Sequence, residues 1–160
     1  MATPSPAAVS LATLLAEEVR EVESFVELLR QEQALLVSAS NADHLMQLVE
    51  RKSGYAARLK TLSDKREELL AADGYESGRS GMEAWLANTP GSIRSLWQKL
   101  MALAAEARAL NETNGKLIRI HWQHNQAALA TLMSAADRAM TYGPDGQQKG
   151  GGGGRILGSA

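Results

Sequence analysis

The stretch LNETNGKLIRIHWQHN, residues 110–125, decides the fold. It lies inside what otherwise reads as one long amphipathic helix. Its inward positions carry Asn111, Asn114, His121 and His124, and Gly115 sits in mid-helix. A helix that only builds a core does not choose these residues. If the helix runs on, its C-terminal part outlasts its neighbours and awaits another chain. If it breaks near Gly115, that part folds back. The pattern alone leaves both open.

Outward from this stretch, proline is confined to positions 4, 6, 90 and 144, and the long intervals between them mark an all-helical chain. The third long helix is expected over 91–140, and about fifty residues at a rise of ~1.5 Å span ~75 Å. One lane reads Ile93, Leu96, Leu100, Leu103, Ala107, Leu110, Asn114, Leu117, His121, His124, Ala128. A second reads Trp97, Ala104, Asn111, Ile118, Asn125, Leu132. Both are apolar up to Leu110 and mixed beyond it.

Upstream, Leu15, Val19, Val22, Val26, Leu29, Gln33 and Leu36 advance in alternating steps of four and three, with Leu14, Phe25, Leu28 and Leu35 widening the stripe. That is a helix over about 9–37 with a coiled-coil seam. SASNAD, residues 38–43, is a turn that offers Asn41 or Asp43 as the next cap. A second helix over 43–72 carries Leu45, Leu48, Lys52, Tyr55, Leu59, Leu62, Arg66 and Leu69, with Lys52 and Arg66 expected to bury their stems and keep their charges at the edge. A short turn between helices of equal length makes an antiparallel hairpin. The connector holds a short helix near 81–88 with Met82, Trp85 and Leu86 available for packing.

The expected architecture is therefore all-α: an elongated antiparallel hairpin plus a long third helix in a coiled-coil-like bundle, residues 1–140. Residues 141–160, with five glycines at 150–154, read as a flexible tail. Charge agrees with the pairing. Residues 9–37 hold six acids and two bases, net −4, and residues 91–140 hold six bases and three acids, net +3.

Thirty-residue hairpin helices cover a fifty-residue partner only to about residue 120. Leu129, Leu132, Met133, Ala136 and Met140 then form an apolar face without an intramolecular partner, the kind of stripe that marks an interaction site. Asn111, Asn114 and Gly115 fall at the changeover. A seam asparagine fixes register, and a mid-helix glycine permits a bend or close backbone approach. These three are assigned a structural role.

Other chemistries find little support. The formal net charge is −1, so no basic field argues for nucleic acid. Cysteine is absent, which excludes disulfides and thiolate metal sites and suits a reducing cytosol. The N-terminus lacks the basic region of a secretory signal, and no apolar run approaches the ~20 residues of a membrane span. His121 and His124 stand three apart, but the di-iron pattern needs Glu three residues before His, and no histidine here has it. The glycine run lacks the Gly-Lys-Ser/Thr ending of a phosphate loop. No catalytic constellation, cofactor or metal is expected.

The chain resembles the FlgN family of flagellar export chaperones. The likeness is carried by LLRQEQALL in the first helix, LVERKSGYAARLKTL in the second, GMEAWL in the connector, LNETNGKLI at 110–118 and TYGPDGQ at 141–147. It implies a cytosolic, non-enzymatic chaperone that holds the hook-associated junction proteins FlgK and FlgL before they reach the flagellar export apparatus. It also implies that the C-terminal part, here about 118–147, binds substrate. Combined with the uncovered stripe, this designates Ile118, Trp122, Leu129, Leu132, Met133, Met140 and Tyr142 as partner contacts. The alternative is a structural coiled-coil adaptor that self-associates through the same stripe as a homodimer. Neither reading involves nucleic acid or stable membrane insertion.

Overall fold

The computed structural model describes residues 6–38 and 42–141. Four helices account for nearly all of them: α1 (Pro6–Ser38), α2 (Ala42–Ala72), α3 (Gly78–Leu86) and α4 (Gly91–Thr141). No strand occurs among the described residues, and none of their helices is long and apolar enough to cross a membrane. Residues 39–41 of the SASNAD turn and 142–160 of the expected tail fall outside the described residues, and Thr141, expected to start the tail, ends α4.

Helix boundaries follow local chemistry. Pro6 opens α1 at the first helical position, where its missing N–H costs nothing, so the helix begins earlier than its apolar pattern does. α2 ends in a left-handed glycine, Gly74, with φ of 83°. There the Gly74 N–H donates to the Ala71 carbonyl and the Tyr75 N–H to the Leu70 carbonyl, each at 3.0 Å, which satisfies carbonyls left over at the helix end. Tyr75 and Leu70 both join the core. α3 begins three residues before its expected start because the Gly78 N–H donates to the Glu67 carboxylate, 2.6 Å away, across the turn. Gly81 is required by space: a Cβ there would lie 1.7 Å from the Glu76 carbonyl oxygen.

The chain divides into two compact units, Met1–Ile118 and Arg119–Ala160. The first holds the core. Leu15, Val19, Val22, Val26, Leu29 and Leu36 of the expected seam are buried, as are Leu62, Met82, Trp85, Leu86, Trp97 and Leu100. Leu11 and Leu70 are fully buried too, although both lie off the lanes traced from the sequence. α1 and α2 pack closely, and the contacts of Lys99 with Glu23, Glu106 with Arg30 and Asn114 with Leu29 and Glu32 set the first part of α4 parallel to α1. α4 continues through Gly115 without a break.

Two expectations about the core need correction. Arg66 does not hold its charge at the edge, and Lys52 keeps only about a quarter of its side chain exposed. Each reaches a carboxylate of α1 that is almost wholly buried, Lys52 to Glu32 and Arg66 to Glu18. Burying one of these cations with its carboxylate is less costly than leaving the carboxylate unpaired. Asn111 is not an inward residue. It is exposed on the rim of a groove of about 460 Å³ that Phe25, Leu59, Leu100 and Arg108 also line.

Candidate functional site

Two features of α4 account for its polar stretch, and they differ in kind. The first is a buried hydrogen-bond junction. Asn114 is fully buried. Its Nδ2 donates to the Leu29 carbonyl at 2.9 Å and to Glu32 Oε2 at 2.7 Å. Lys52 Nζ donates to both oxygens of the same carboxylate, at 3.2 and 3.0 Å. One carboxylate of α1 thus meets α2 and α4 together. Sliding either helix by a turn would strand a buried charge, which is how a polar seam residue sets register.

The second polar level joins the same three helices. Arg66 pairs with Glu18 and stands over the Trp97 ring, 5.4 Å from its centroid. Burial raises the Glu18 carboxyl above its ordinary range, and the hydrogen bond and charge of Arg66 only partly oppose this. Among the described residues, Glu18 Oε2, Arg66 Nε and Asn114 Oδ1 are buried without a hydrogen-bond partner. These junctions specify one alignment more than they stabilise it. Exposed pairs at Lys99–Glu23 and Arg30–Glu106 add α1–α4 contacts; the first has the sign the charge asymmetry anticipated, and the second has it reversed, with the base on α1 and the acid on α4.

The acidic members of both junctions escaped the sequence reading, yet a signal was present. Leu11, Leu15, Glu18, Val22, Phe25, Leu29, Glu32 and Leu36 advance in steps of four and three, so both carboxylates occupy seam positions. Glu18 and Glu32 stand fourteen residues apart, as do Lys52 and Arg66. Equal spacing of opposite charges on two antiparallel helices is the pattern that pairs them.

The second feature is an apolar stripe in solvent. Ile118, at the end of the first unit, is 44% exposed, and Trp122, Leu129, Leu132, Met133 and Met140 in the second are all exposed, rising to 85% at Met140. Tyr142 lies outside the described residues. Within the second unit Trp122, Asn125, Leu129, Leu132 and Ala136 follow steps of three and four, so they share one face. Ile120 is exposed off that face, and Val37, Met46 and Val49 are exposed on the hairpin helices. The three hairpin residues lie outside the lanes, as do the buried Leu11 and Leu70, so the lanes alone do not separate them.

Of the histidines in this stretch, His124 is exposed and His121 half-buried. Among the described residues no three His, Asp or Glu side chains gather as metal ligands do. The stripe offers contact area and no reactive group.

Comparison with known proteins gives a consistent result. A family model described as FlgN protein matches residues 1–150. A flagella synthesis protein FlgN of Yersinia enterocolitica is 33% identical over 141 residues, covering 88% of this chain and 90% of the relative. One from Proteus mirabilis is 28% identical over 131 residues, covering 81% and 84%. A crystal structure of a proposed flagella synthesis protein FlgN from Pseudomonas aeruginosa superposes with a TM-score of 0.64, covering 84% of this chain and 98% of that one. At 21% identity that likeness speaks to fold alone.

Proposed function

The chain belongs to the FlgN family, and on that premise we propose that it is a cytosolic, non-enzymatic flagellar export chaperone. Its cargo is the hook-associated junction proteins FlgK and FlgL, held through the exposed stripe of α4 until they are passed to the export apparatus. The observation that carries this reading is the set of large apolar side chains in solvent from Ile118 to Met140. A soluble chain tolerates such a stripe when a partner helix covers it.

The physical logic is shielding. Terminal helices of a junction subunit are apolar and unpaired before assembly, and an amphipathic helix covers them without ATP. Trp122 and Leu132 anchor that contact, and Met133 and Met140 adapt their flexible side chains to more than one cargo. Release follows from competition at the export gate.

Replacing Leu132 and Met133 together by Glu tests the reading. Both are exposed, so helix content and unfolding midpoint should stay near those of the parent, while co-purification with FlgK and FlgL is lost. Undiminished capture of both cargoes would refute the assignment of the site. Concentration-dependent sedimentation as a dimer, together with indifference to either cargo, would favour the self-associating adaptor.

A further inference from the structure

Asn125 is the one polar residue in the run Trp122, Asn125, Leu129, Leu132, Ala136, and it is exposed. A carboxamide covered by an apolar helix loses its water and must find a hydrogen-bond partner or carry a penalty. The same helix shows what an asparagine takes when it is covered. Asn114, eleven residues earlier and on the neighbouring lane, meets a carboxylate, Glu32, and a main-chain carbonyl. The charge pattern points the same way. From Thr113 to Ala136 there is no Asp or Glu, while Lys116 and Arg119 are present. Any carboxylate that meets Asn125 must therefore come from outside this stretch.

We infer that the stripe selects a partner helix whose apolar seam is interrupted by one carboxylate, and that Asn125 is the residue that reads it. This rests on the chaperone reading and narrows it. The surrounding Trp122, Leu129 and Leu132 supply contact area, which any apolar helix satisfies. Asn125 supplies discrimination, because a partner that places an aliphatic side chain opposite it leaves the amide dry and unpaired. It also sets alignment, since a shift of one heptad moves the carboxylate away from the amide.

The test uses the full-length chain and two synthetic amphipathic peptides of three heptads with leucine seams. They differ at one central seam position, Glu in the first and Leu in the second. Affinities are measured for the parent and for Asn125→Leu, whose helix content is checked in parallel. The ratio of affinities, Glu peptide over Leu peptide, should be about tenfold larger for the parent than for Asn125→Leu. A ratio that Asn125→Leu leaves unchanged overturns the inference, as does failure of the parent to bind either peptide. Cargo capture by the Leu132→Glu, Met133→Glu variant separates the two claims. If cargo is still captured, the chaperone site itself is wrong. If cargo is lost while the peptide ratio is insensitive to residue 125, only the role of Asn125 falls.

Discussion

Trp97 and Trp122 occupy comparable apolar positions on the same helix, and their surroundings are opposite. Trp97 is 6% exposed, packed in the core of the first unit beneath the Arg66 guanidinium. Trp122 is 63% exposed in the second. Composition does not distinguish them. The covered part of α4 is pinned by charges that reach it from α1 and α2, at Arg66 over Trp97 and Glu32 on Asn114. The exposed part repeats the apolar spacing without such anchors among its described contacts. Two parts of one long helix thus differ in whether charged groups of neighbouring helices reach them.

The comparison breaks most visibly if the anchors do not matter. Arg66→Leu leaves Glu18 buried without its counter-charge and should cost about 4 kcal/mol in urea unfolding. A loss below about 1 kcal/mol would show that the ion pair is incidental. The next contrast uses a single chemical change at two sites. Leu29→Ala, at a fully buried residue, should cost about 3 kcal/mol, whereas Leu132→Ala should stay within about 0.5 kcal/mol of the parent. Equal costs would mean that Leu132 is covered in solution.

Asn114→Leu removes two hydrogen bonds, one of them to Glu32, while Lys52 remains on that carboxylate. A loss of about 2 kcal/mol is expected, with helix content retained. The smallest effect is a slope. The folded chain holds the Glu18 proton to higher pH than the unfolded chain does, because burial disfavours the carboxylate. Between the ordinary carboxylate range and that raised value the folded state binds more protons, so this group's contribution falls as pH rises. Parent stability should therefore decline relative to Glu18→Gln as pH increases through that window, and a parallel pair of curves would contradict it.

Much of this was legible beforehand. The helix boundaries moved by no more than three residues from the apolar and proline patterns, because those patterns act locally. Met82, Trp85 and Leu86 packed as the connector's amphipathic spacing required. The polar junctions were not legible from single lanes. Glu18 and Glu32 look like ordinary solvated acids until each is matched with a base on the opposing helix. Asn111 and Asn114 differ by three residues, yet one lines an open rim and the other is sealed. At the candidate site, counting residues in helices of unequal length left an exposed stripe or a fold-back near Gly115, and the unbroken α4 decided for exposure. The selectivity inferred for Asn125 concerns a side chain on another molecule, which no pattern within this chain contains.

The sequence by itself determined four helices, their order and the apolar spacing along each, because periodicity and chain-breaking residues act over a few neighbours. Only the tertiary structure decided which polar groups go inside. That choice depends on how far one helix slides along another, and a slide of one turn exchanges a paired buried charge for an unpaired one.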